Sequence, residues 1–211
     1  MKTTVILLSF LLIPLLNSLL IASAANDKVL DIDGQELRTG TNYYILPVVR
    51  GNGGGLKINS QGNYQCPLGV VQEADEVNRG TPMIFSPVNP DEQIVRESSD
   101  LNVKFSGPTF ICSYKNNGEP TVWRIDSGDS GQTFVSLGGS VGDPGSSTIR
   151  NWFRIEKLEG GNNWYKFVYC PGVCNTCRPV CGDLGIVIEK SGTRRLALNT
   201  VKSFQVFFKK A

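Results

Sequence analysis

The stretch YKFVYCPGVCNTCRPVCGDLGIVI (165–188) holds four of the chain's six cysteines between two runs of strand-forming residues. Cys170, Cys174, Cys177 and Cys181 follow a C-x3-C-x2-C-x3-C spacing, while Cys66 and Cys112 stand apart. The chain has no histidine. That removes the usual general base, the usual activator of a nucleophile and the commonest metal ligand. The sequence therefore reads first as that of a protein that binds, without catalytic residues, metal or cofactor.

The compartment decides what the cysteines do. Lys2 gives a positive start, Val5 to Leu16 form an apolar run broken by Ser9 and Pro14, and Ala22-Ser23-Ala24 offers a small-residue cleavage site. This is the pattern of a secretory signal over residues 1–24, leaving 25–211 as a single domain. Pro14, Asn17 and Ser18 argue against a membrane anchor, and no second apolar stretch of about 20 residues follows. Loss of Lys2 lowers the formal net charge of +2 by one. So small a charge argues against nucleic acid or an anionic membrane as partner.

An oxidising compartment and an even cysteine count favour three disulfides. A four-cysteine zinc site competes, but it needs a reducing setting and commonly separates two C-x2-C pairs by a longer loop. A redox-active Cys174–Cys177 pair would need a thioredoxin-like α/β unit, which the pattern lacks. Spacing alone leaves all connectivities open; the simplest nests Cys174–Cys177 inside Cys170–Cys181 and pairs Cys66 with Cys112.

Along the chain, short runs rich in β-branched and aromatic residues recur between Gly, Pro, Asn and Asp clusters. They include Tyr43 to Val49, Leu101 to Phe105, Val122 to Ile125, Trp152 to Ile155, Tyr165 to Tyr169, Ile186 to Ile188 and Phe204 to Phe208. Only Glu73 to Val77 suggests a helix, and it is too short to matter. With 23 glycines and 11 prolines, the pattern predicts an all-β sandwich or barrel. Strand-like runs reach a proline at Pro47, Pro108 and Pro171, about a third of the chain apart, which hints at threefold repetition. Trp123, Trp152 and Trp164 read as core or strand residues. Asp31, Asp33, Asp126, Asp129 and Asp143 read as turn residues and not as an acid–base site.

The segments VLDIDGQELRTGTNYYI (29–45), CPLGVVQ (66–72), NWFRIE (151–156), CGDLGI (181–186) and RRLAL (194–198) resemble the plant Kunitz inhibitors of the soybean trypsin inhibitor type. PVNPDEQIVRESSDLNVKFS (87–106) and CPGVCNTCRPVCGD (170–183) are similar to the miraculin-like branch. The resemblance implies a β-trefoil of twelve strands, a six-stranded barrel with a hairpin cap. It also implies the disulfides Cys66–Cys112, Cys170–Cys181 and Cys174–Cys177. The interchain cysteine known in the branch would fall at Glu159 or Gly160, so a monomer is expected.

By the same resemblance, the loop between the fourth and fifth strands would meet an endopeptidase as a rigid substrate mimic. Here it falls at Ser86 to Glu92, with Pro87, Val88, Asn89, Pro90 and Asp91 as contact residues and Asn89 at the key position. A trypsin-like pocket needs Arg or Lys, because it carries a buried carboxylate. Asn89 is neutral and short, Pro90 follows the would-be scissile bond, and Thr39 stands where the family braces the loop with Asn. Weak action on trypsin is therefore expected. Pro87 and Pro90 still stiffen the loop. Arg178, inside the clustered cysteines, is a second basic candidate, and Arg96 reads as the start of the next strand. The expected function is that of a secreted (apoplastic, alternatively vacuolar) inhibitor of a serine or papain-like cysteine protease. The alternative is a non-inhibitory interaction, signalling or stress protein on the same scaffold.

Overall fold

A computed structural model describes residues 26–59, 68–107, 121–128, 131–198 and 202–211 of the chain. Twelve strands follow in order: β1 (Tyr43–Pro47), β2 (Leu56–Ile58), β3 (Val70–Gln72), β4 (Met83–Pro87), β5 (Leu101–Phe105), β6 (Trp123–Ser127), β7 (Thr133–Leu137), β8 (Arg154–Lys157), β9 (Tyr165–Tyr169), β10 (Gly182–Ile188), β11 (Arg194–Leu198) and β12 (Val206–Lys210). A 3-10 helix, Ser146–Asn151, precedes β8. Among the described residues no helix is long and apolar enough to cross a membrane.

Six strands close into a ring. β1 pairs with β12 and β4, β4 with β5, β8 with β9, and β9 with β12. The seam between β5 and β8 is sewn by Leu101 and Phe153, whose amides and carbonyls exchange two bonds of 2.9 Å. The hairpins β2–β3, β6–β7 and β10–β11 form the cap. They meet through β11, at Arg195↔Val71 and Ala197↔Phe134. This is the β-trefoil. β1, β5 and β9 each open a four-strand repeat, and they are the runs that the proline landmarks followed; Pro108 itself lies outside the described residues.

Strand alternation fills the ring. Tyr43 and Ile45, Met83 and Phe85, Tyr165 and Phe167, and Val206 and Phe208 point inward and are buried. Phe208 packs edge-on against Phe85 at 5.4 Å, and Trp123 edge-on against Phe153 at 5.7 Å. Such geometry suits the ring quadrupoles, and each buried aromatic or aliphatic side chain contributes about 1.5–3 kcal/mol. The Tyr165 hydroxyl accepts the Leu30 amide at 2.9 Å and so ties the amino-terminal segment to the barrel.

Several boundaries differ from the sequence expectation. β6 starts at Trp123 and runs on to Ser127, so Asp126 lies in a strand, paired with Arg124, and not in a turn. β8 starts only at Arg154, because the 3-10 helix occupies the chain up to Asn151 and turns the buried Trp152 toward Thr148. Trp123 and Trp152 are core residues, whereas Trp164 is 38% exposed. Arg96 does not begin β5: it forms an isolated bridge with Lys28 before that strand.

Candidate functional site

β4 and β5 are a registered pair, Pro87 opposite Leu101 and Ser86 opposite Asn102. Pro87 is thus the last residue of β4, and the connecting loop begins at Val88. Its amide donates to the Asp100 carbonyl at 2.8 Å, closing the loop at its base. Asn89, Pro90 and Asp91 then stand exposed at the surface.

The tip is a turn within a turn. The Asn89 carbonyl accepts the Glu92 amide at 3.1 Å, and the Asn89 side-chain Oδ1 accepts the Asp91 amide, also at 3.1 Å. Asparagine is suited to this local capping, and proline fits the second position of such a turn because its φ is already fixed. The key-position side chain is therefore engaged by its own loop instead of extended away from it.

Beyond the tip the loop is braced from the amino-terminal segment. The Thr39 hydroxyl donates to the Glu92 carbonyl at 2.8 Å, and the Thr39 amide to the Gln93 carbonyl at 3.1 Å. Arg38 bridges Ile94. The Glu92 carboxylate accepts Nε of Arg96 at 2.8 Å, and the same guanidinium reaches the Asn26 carbonyl at 3.0 Å. Two cross-chain bonds from Thr39 and an ion pair hold the loop before anything binds.

The cysteine cluster forms a compact clasp with the disulfides Cys170–Cys181 and Cys174–Cys177. Arg178 is exposed on it, yet its Nη1 folds back on the carbonyls of Cys177 (2.9 Å) and Asn175 (3.3 Å). Cys66 and Cys112 lie outside the described residues, as does the segment 1–24. Among the described residues no group of three or more His, Cys, Asp or Glu could hold a metal ion.

One residue joins loop and clasp, and sequence reading passed over it. Asp100, 8% exposed, closes the loop through its carbonyl. Its carboxylate accepts Nε of Arg154 on β8 at 2.8 Å and the Gly172 amide at 2.9 Å. Those partners lie 54 and 72 positions away, a separation that leaves no local signal.

A closed barrel with a braced surface loop and a disulfide clasp defines a β-trefoil binding protein. A family model described as trypsin and protease inhibitor, of the Kunitz legume type, matches residues 29–210. The chain belongs to that family of inhibitors and is not an enzyme. It is 48% identical over 202 residues to miraculin of Synsepalum dulcificum, covering 93% of this chain and 88% of that protein. Among solved structures it resembles the Kunitz-type cysteine protease inhibitor PCPI-3 from potato. That match has 36% identity and a TM-score of 0.73, covering 89% of this chain and 98% of that one. It also resembles soybean trypsin inhibitor in complex with porcine pancreatic trypsin, at 32% identity and a TM-score of 0.67, covering 87% and 99%.

Proposed function

We propose that this protein is a secreted inhibitor-like defence protein of a plant that engages an endopeptidase through the loop at Val88 to Asp91, and that it acts weakly on trypsin. Residues 1–24 would direct it out of the cell, to the apoplast or, alternatively, the vacuole, where it would act as a monomer. The observation that carries the reading is the bracing of the loop by Thr39 on a closed barrel. A loop ordered in advance loses little entropy on binding. Weakness on trypsin follows from Asn89, which offers no positive charge to the pocket carboxylate and spends its side-chain oxygen on Asp91. A missing desolvated charge pair of this kind costs several kcal/mol. The same engaged side chain favours the second reading, a trefoil that binds a partner without inhibiting a protease.

Titration of the mature protein against trypsin, chymotrypsin, subtilisin and papain, alongside Asn89→Arg, separates the two. The expected result is weak or absent trypsin inhibition by the wild type and a gain with Asn89→Arg. If Asn89→Arg leaves trypsin untouched and the wild type inhibits none of the four, the loop does not serve as an inhibitory loop. Strong trypsin inhibition by the wild type would refute the role given to Asn89.

A further inference from the structure

On another face of the molecule, a groove of about 460 Å³ lies between the end of β1, the β10–β11 hairpin and the residues leading into β12. It shares no residue with the β4–β5 loop. Its size falls within the range of small-molecule sites. One wall is apolar: Pro47, Val49, Ile186, Ile188 and Phe204. Val49 and Ile188 remain 50% and 60% exposed, so part of this wall lies open to solvent. Residues further in are better packed, with Ile186 and Phe204 against the core cluster.

Among the described lining residues, the polar side of the groove carries two cations and no acid. Arg194 and Lys202 line it, accompanied by Asn52, Gln72, Ser203 and Gln205. Among the described residues Arg194 is held in place by neutral acceptors. Its Nε donates to Oε1 of Gln72 at 2.9 Å and its Nη2 to the Asn52 carbonyl at 2.7 Å. Gln72 is itself 4% exposed and fixed by the Gly54 carbonyl at 3.0 Å. Among the described residues Arg194 makes no ion pair, and its Nη1 makes no hydrogen bond. Other arginines of the cap and barrel, such as Arg124, Arg154 and Arg195, each face a carboxylate. An oriented guanidinium with neutral partners and donors to spare, beside an apolar wall, is the complement of an anion with an apolar body.

We propose that this groove binds a small amphipathic carboxylate, its carboxyl on Arg194 with Lys202 adding to the positive field, and its hydrocarbon or aromatic body against Ile186, Ile188 and Phe204. The inference does not depend on protease inhibition, and its test does not use a protease.

Isothermal titration calorimetry on the mature protein would use 4-phenylbutyrate and octanoate as probes, each against its neutral amide. The expected result is saturable binding of the acids and binding of the amides weaker by roughly tenfold or more, the worth of a charge-assisted hydrogen bond. Arg194→Gln should abolish the preference for the acid. Ile188→Glu, at a site 60% exposed, should weaken the acids more than the amides. Equal affinity for acid and amide, or an unchanged preference in Arg194→Gln, overturns the proposal. So does the absence of saturable binding by either acid up to about 10 mM, a range that reaches even weak ligands. Light scattering that shows a dimer dissociated by Ile188→Glu would assign the groove to a second copy instead and equally overturn it.

Discussion

The carboxylate of Asp100 accepts the backbone amide of Gly172 at 2.9 Å, across 72 positions of sequence, while also pairing with Arg154. This one contact fastens the cysteine clasp to the residue that closes the exposed loop. There is little room for variation around it: a Cβ added to Gly172 would lie 2.5 Å from Nη2 of Arg154 and 3.2 Å from Oδ2 of Asp100. Asp100→Ala should destabilise the fold by about 2–3 kcal/mol, since it strands a partly buried guanidinium and an amide. Asp100→Asn should cost less. Urea denaturation of the three proteins gives the order; equal midpoints for wild type and Asp100→Ala would remove Asp100 from its joining role.

Thr39 offers a narrower test of the loop. Thr39→Val keeps the shape and deletes the hydroxyl that reaches the Glu92 carbonyl. The expected loss of global stability is about 1 kcal/mol. The larger effect should be local: a protease that cleaves near Asn89 should do so faster in Thr39→Val, as read by mass spectrometry of timed digests. An unchanged cleavage rate would mean that the backbone bonds and the Glu92–Arg96 ion pair hold the loop without the hydroxyl.

The two clasp disulfides should differ in worth. The bridge between Cys170 and Cys181 spans 11 positions, the inner one between Cys174 and Cys177 only 3. On loop-closure entropy the double Cys→Ser variant of the outer bridge should lose about 3 kcal/mol and that of the inner bridge about 2. Thermal unfolding of the two variants tests the order, and a reversal would point to contacts made by the clasp in the native state.

Glu97 predicts a pH dependence. Burial pushes its carboxyl above the usual carboxylate range; the charge of Lys157 opposes the shift and that of Asp27 adds to it. Its Oε1 is buried without a hydrogen-bond partner among the described residues. The folded state therefore binds this proton more tightly than the unfolded chain, so the contribution of Glu97 to stability falls as pH rises through the carboxylate range. Glu97→Gln should raise the Tm at pH 7, and the gain should shrink toward zero below pH 4. A gain independent of pH would assign the effect to packing instead of charge.

What the sequence disclosed follows the range of the interactions concerned. The all-β class and strands such as β1, β5 and β9 were legible, because YYILP, LNVKF and YKFVY are runs of β-branched and aromatic residues bounded by turn formers, a local pattern; β4, β7 and β11, of five residues each, were not among the runs picked out. The proline landmarks after these runs marked the threefold repeat for the same reason. β2 and β3, of three residues each, are too short to show a period. The 3-10 helix at Ser146–Asn151 has no apolar face that would betray it. Asn89 and Thr39 could be singled out by family resemblance, yet the turn that engages Asn89 shows only in three dimensions. Asp100 and Arg194 were not recognisable as site residues because their partners are distant: Arg194 lies 122 positions from Gln72 and 142 from Asn52.

Closure of the six-stranded ring also restricts how any other molecule can take hold. An open sheet ends in a strand whose amides and carbonyls invite an extra chain. Here β1, β4, β5, β8, β9 and β12 are each flanked on both sides within the ring, so the barrel offers no such template. Recruitment of a barrel strand by a second copy, or by an enzyme that grips its substrates as extended chain, would first require a ladder to be torn open. A partner is thereby left to grip side chains and connecting loops instead of a strand edge, and the same geometry works against both tangling and digestion.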